Sequence, residues 1–157
     1  MIRLQTNNRC ERLSFSAEGR DLLIDTLCSH RTDHGLAGEL SLAFLSDGEL
    51  AGIHEEFLGD PSPTDVITFP GDLESDLVGE ICISVERAEA ESLSRGEPFS
   101  RELTLYLVHG WLHLLGFNDL SEQERLEMRR AESETMDFLS ENLAIPDFRL
   151  APKHLDV

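Results

Sequence analysis

The stretch "HGWLHLLGFND" (109–119) carries the residue types in this chain best suited to holding a metal ion. His109 and His113 are four apart, and residues i and i+4 share one side of an α-helix, one turn apart. Two imidazoles therefore aim at a single point. Leu115 ends the helix, and Gly116 can take the left-handed conformation that a Cβ disfavours. That reversal lets Asp119 reach back toward the same point. Two neutral nitrogens and a carboxylate make three ligands and leave the fourth tetrahedral corner for water. A structural site would be closed by a fourth protein ligand, and none is evident in the sequence.

The expectation is one zinc ion per chain, held by His109, His113 and Asp119. Histidines that merely pack would be costly on so apolar a helix, since each unsatisfied buried polar group costs about 2–7 kcal/mol. The same ligand set is the facial triad of non-haem Fe(II) enzymes, but those sites sit more often on β-barrels than on helices. The spacing also serves zinc peptidases, whose general base is the glutamate of H-E-x-x-H. Gly110 stands in its place, which counts against a peptidase. The remaining histidines, His30, His34, His54 and His154, are scattered and receive no role. Trp111 faces away from the metal line and reads as packing.

The elements that must position these residues follow from periodicity. "RLQTNN", "GELSLAFLS", "DVITFPGD" and "DLVGEICIS" read as strands. "SAEGRDLLIDTLCSH" has helical spacing at Leu22, Leu23, Thr26 and Leu27. Asp47 is placed as the cap of a helix stopped by Gly59, and "VERAEAESLSR" is a polar surface helix stopped by Gly96. Ser100 is placed as the cap of "RELTLYLVHGWLHLLG", apolar on nearly every face and therefore buried. Ser121 and Glu124 form a capping box for the last helix, whose inward stripe is Leu126, Ala131, Phe138 and Leu139. The expected fold is α+β: a single mixed sheet of about four strands covered by about five helices, with the metal-binding helix buried. One domain spans 1–157, and its tail, 145–157, is expected to be loosely ordered.

With 40% hydrophobic and 28% charged residues, the composition is ordinary for a globular protein. The N-terminal "MIRLQTNNRC" has no apolar h-region and no run approaches a membrane span, so a cytoplasmic location is expected. Cys10, Cys28 and Cys82 read as reduced, mostly buried thiols. The charge is unusual: 31 acids against 13 bases give −18. From Thr32 to Glu86 there are 13 acids and no lysine or arginine. Such a face repels a nucleic-acid backbone and suits either solubility or a basic protein partner.

Three segments resemble the YbeY family in order and spacing. "HGWLHLLGFND" is similar to its H-G-x-L-H-L-x-G-[FY]-D-H signature, "GDPSPTDVITFP" (59–70) to "GKDxPTDVLSFP", and "LVGEICIS" (77–84) to "xxGDIxIS". The resemblance implies an α+β fold and a metal-dependent endoribonuclease specific for single strands. It further implies action in rRNA maturation, at the 3′ end of small-subunit rRNA, and in ribosome quality control. The implied partners are single-stranded rRNA and the ribosome or a basic ribosomal protein. The family holds zinc with three histidines; carried across, these fall on His109, His113 and Asp119, so the third ligand becomes a carboxylate. The family's arginine before the glycine of "RGKD" is Leu58 here, and its lysine is Asp60. No base near Leu58 in the sequence replaces that guanidinium, so weak nuclease activity is expected. Glu80 for the family's aspartate is a mild change. Asp65, in "PTDV", suits a cap on the turn before a strand, with the cleft wall as its second placement. The general base is left open. The competing reading is a ribosome-assembly factor whose metal site is vestigial or structural.

Overall fold

The computed structural model describes residues 1–60 and 64–153. Its elements follow as β1 (Ile2–Asn8), β2 (Leu13–Ser14), α1 (Ala17–His30), β3 (Gly38–Leu45), α2 (Asp47–Leu58), β4 (Val66–Pro70), β5 (Leu77–Ser84), α3 (Val85–Arg95), α4 (Phe99–Leu114), α5 (Glu122–Glu141) and β6 (Arg149–Leu150). Four strands form one mixed sheet in the order β1-β3-β5-β4. β1, β3 and β5 run parallel, and β4 pairs antiparallel with β5. No described helix is long and apolar enough to cross a membrane.

Alternation along the strands divides the core. Leu40, Leu42 and Phe44 of β3 and Ile81 and Ile83 of β5 join the main cluster with Leu103, Leu107 and Trp111 of α4. Their neighbours Ala43, Leu45 and Cys82 point to the other face and pack with Leu50 of α2. α4 is buried along its length because it lies directly on the sheet. Gly110 explains how closely: a Cβ there would stand 2.6 Å from Cγ2 of Ile81. One turn later Leu114 lies over Gly79, whose added Cβ would meet Leu114 Cδ2 at 2.6 Å. The position where a peptidase keeps its glutamate is a helix–sheet contact with no room for any side chain.

Several sequence expectations are corrected. The α2 cap is Ser46, whose hydroxyl accepts from Glu49 N while the Glu49 carboxylate accepts from Ser46 N; Asp47 is the first helical residue and accepts from the Ser84 hydroxyl. α4 starts at Phe99 behind Pro98, so Ser100 lies inside the first turn and its carbonyl accepts from Thr104 Oγ1 at 2.7 Å. Proline supplies the extended backbone of a cap without a side-chain acceptor. Leu126 is 54% exposed, and the inward stripe of α5 is carried by Met128, Ala131, Thr135, Met136 and Leu139. Only Cys82 among the thiols is fully buried; Cys10 and Cys28 are half-buried, and all three are free.

The segment expected to be loose is built into the core as far as it is described. Phe148 is 5% exposed and meets Phe15 and Phe44 edge to face. β6 pairs antiparallel with β2, and Ala151 N donates to Arg12 O at 2.8 Å. Aromatic anchoring, which has no periodicity to reveal it, overrides the two prolines. His154 lies outside the described residues.

Candidate metal centre

α4 ends in a Schellman turn. Leu115 is the last αR residue, Gly116 takes φ 102°, Phe117 N donates to Leu112 O at 3.0 Å and Gly116 N to His113 O at 3.0 Å. The turn sends residues 117–120 back past the helix end. The following helix pins them: Ser121 and Glu124 form the expected capping box, and Arg125 Nη1 donates to Leu120 O at 3.0 Å.

The result brings His109, His113 and Asp119 together. The two Nε2 atoms are 3.1 Å apart, and Asp119 Oδ2 lies 3.5 Å from each. A tetrahedral ion with bonds of about 2.0–2.1 Å sets its ligand atoms about 3.3–3.4 Å apart. The triangle has that size.

The outer nitrogens show how the rings are turned to suit a cation. His109 Nδ1 lies 2.8 Å from Glu132 Oε1, and His113 Nδ1 lies 3.0 Å from Phe117 O. A carboxylate and a carbonyl only accept, so both Nδ1 atoms donate, and in the neutral rings that a metal requires both Nε2 atoms present lone pairs. Two lone pairs and a carboxylate then face one another within hydrogen-bond distance. A metal ion satisfies all three at once, with carboxylate and carbonyl orienting the ligands from behind. Burial works to lower the His109 pKa, but the hydrogen bond and charge of Glu132, with Asp119 and Asp65 behind it, outweigh burial and hold it above its ordinary value.

Two clefts open on the site. One, of 620 Å³, is lined by His109, Glu132, Asp65 and Tyr106 together with Arg87 and Arg129. The other, of 310 Å³, is lined by His113, Leu58, Thr68 and Asn118. Leu58 is 61% exposed there, at the end of α2. Asp65 fills both of its placements: its Oδ1 accepts from Val66 N at 2.9 Å, and it stands in the wall of the larger cleft.

Sequence reasoning missed Glu132 and, in the larger cleft, Arg87 and Arg129. Glu132 and Arg129 come from α5 and Arg87 from α3, elements far from the motif in sequence. Their one local signal is helical spacing, with Arg129 and Glu132 three apart on α5. Two of the histidines given no role pack against aromatic rings. His30 stacks on Phe138 at 4.5 Å, and His34 meets Trp111 edge to face at 5.6 Å. His54 lies 3.9 Å from Asp60.

Fold and site define an α+β protein in which three side chains that could hold a metal ion converge beside a charged cleft. Residues 4–140 match the family described as Endoribonuclease YbeY, and the chain belongs to that family. It is 30% identical over 143 residues to the Endoribonuclease YbeY of Protochlamydia amoebophila, covering 88% of this chain and 94% of the relative. The Desulfitobacterium hafniense protein of the same name is 36% identical over 118 residues, 68% of this chain and 75% of the relative. The solution structure of TM1509 from Thermotoga maritima shares the fold, with a TM-score of 0.63 at 23% identity over 91% of each chain.

Proposed function

We propose that the protein is a metal-dependent endoribonuclease that hydrolyses single-stranded RNA in the cytoplasm, acting in rRNA maturation at the small-subunit 3′ end and in ribosome quality control. The observation that carries this reading is the triangle of His109, His113 and Asp119, backed by Glu132 and facing a cleft wide enough for a nucleotide. Zinc is the ion that the two imidazoles, one carboxylate and tetrahedral spacing favour. When bound, it supplies Lewis acidity toward a phosphoryl oxygen and a water whose pKa is lowered to about 7. Glu132 holds the His109 ring so that Nε2 faces the centre, and the Phe117 carbonyl does the same for His113. In this reading Asp65, exposed in the cleft with one carboxylate oxygen engaged by Val66 N, would be the group that takes the proton of an attacking oxygen.

Leu58 supports a second reading, a ribosome-assembly factor of little intrinsic activity whose acidic segment (32–86) meets a basic ribosomal protein. One assay separates the two. Purified protein is incubated with short single-stranded and duplex oligoribonucleotides, then with chelator, then with zinc restored. Cleavage of the single strand that is lost and regained with the metal supports the nuclease. An intact strand under all three conditions supports the assembly factor.

A further inference from the structure

Five of the twelve arginines, Arg87, Arg101, Arg125, Arg129 and Arg130, have no carboxylate partner among the described residues. Seven arginines form ion pairs with carboxylates within the described residues. Arg95, in the cleft wall, is among them: it bonds Glu91 and the buried Glu102, each at 3.3 Å. Arg87 and Arg129 share that cleft, and among the described residues neither guanidinium has a hydrogen-bonded or ion-paired partner. Arg87 is half-buried on α3 and Arg129 is exposed on α5, while His109 enters the same cleft from α4. A second cleft, of 380 Å³, continues past Arg129 to Arg101 and Glu102. Partly burying a guanidinium without an anion is unfavourable, and 31 carboxylates were available to match it. The half-buried Arg87, sharing with Arg129 the cleft that His109 enters, therefore points to an anion supplied from outside. Guanidinium forks match phosphate oxygens in geometry as well as charge.

We propose that Arg87 and Arg129 are positioning residues that grip backbone phosphates of single-stranded RNA beside the one held at the metal centre. They would supply from α3 and α5 the charge that Leu58 does not. This rests on the nuclease reading above and adds the path of the strand: along the α3–α4–α5 side of the cleft, where Thr64 and Asp65 are the part of segment 32–86 in the lining. A duplex carries a phosphate every ~1.7 Å of its axis and would meet that acidic segment as well.

The test measures fluorescence anisotropy of a labelled single-stranded oligoribonucleotide in chelator, where cleavage is suppressed, and steady-state cleavage with zinc present. The proteins are wild type, Arg87→Gln, Arg129→Gln, the double variant, Arg87→Lys, and Arg130→Gln. Arg130 is the control, exposed on the same helix and lining neither cleft. The double variant should bind at least 10-fold more weakly, with KM raised and kcat little changed. Its salt slope should flatten by about 1.4 in log K per log salt, two contacts at about 0.7 each. Arg87→Lys should recover part of the affinity, and Arg130→Gln should match wild type. Wild-type protein that binds and cleaves while the double variant does the same overturns the proposal and leaves the nuclease reading standing. A wild type that neither binds nor cleaves overturns both. Arginine-dependent binding without any cleavage supports the grip and sinks the hydrolysis.

Discussion

His109 on α4 and Glu132 on α5 meet at 2.8 Å, Nδ1 to Oε1, and this contact aims the opposite face of the imidazole at His113 and Asp119. The carboxylate is not a ligand, yet it decides which nitrogen is free to be one.

Replacing Glu132 should therefore weaken metal binding without removing a ligand. Loss of an orienting partner typically costs about 10–100-fold in affinity. Glu132→Ala is expected in that range and Glu132→Gln, which still accepts a hydrogen bond, nearer its lower end. Competition titration with a chromogenic chelator reads both. Wild-type affinity in Glu132→Ala would remove the orienting role.

Metal retention should depend on pH in a defined direction. His109 must be unprotonated at Nε2 to bind, and its pKa is held above the ordinary value of about 6.5. Affinity should be full above the raised pKa and fall as pH drops through it, so release begins at a higher pH than an unperturbed histidine would give. In the metal-free protein the sign reverses. There the protonated His109–Glu132 pair contributes stability that is complete below the unfolded pKa and is lost as pH rises through the folded one. Glu132→Gln should shift both midpoints toward acid, measurable as metal release and as thermal stability across pH 5–8.

Gly110 is expected to tolerate no side chain. Gly110→Ala gains about 1 kcal/mol of helix propensity but forces a methyl against Ile81, and overpacking of this kind costs about 1–3 kcal/mol. The net should be a lower melting temperature. Gly110→Glu should fail to fold stably rather than become a peptidase, and wild-type protein should leave casein intact. Chelator-sensitive casein cleavage would contradict this account of the position.

Leu58→Arg should raise cleavage of single strands by about 10–100-fold, the effect of one charge-assisted contact of about 1.5–3 kcal/mol. Leu58 lines the His113 side of the site and the arginines line the His109 side. The gain should therefore be additive with Arg87 and Arg129, and no gain at all would mean that their grip already suffices.

What was legible in the sequence was what repeats locally. The i,i+4 histidines, the glycine turn, the Ser121–Glu124 box and the alternation of β3 and β5 all express short-range geometry. The shift of the α2 cap from Asp47 to Ser46 is a one-residue competition between two good caps, decided when the Ser84 hydroxyl engages Asp47. Phe148 gives no periodic signal because it is anchored by Phe15 and Phe44, distant in sequence. Glu132, Arg87 and Arg129 were out of reach for the same reason. Each is one more charge on a polar helix until tertiary packing sets it in the cleft of His109.

Elemental analysis of purified wild type and His113→Ala, with zinc X-ray absorption on the former, tests the central claim most directly. One zinc per wild-type chain is predicted, bound by two imidazoles and oxygen donors, with that zinc lost in His113→Ala and retained in Asp119→His. A metal content unchanged by His113→Ala would contradict the proposed site.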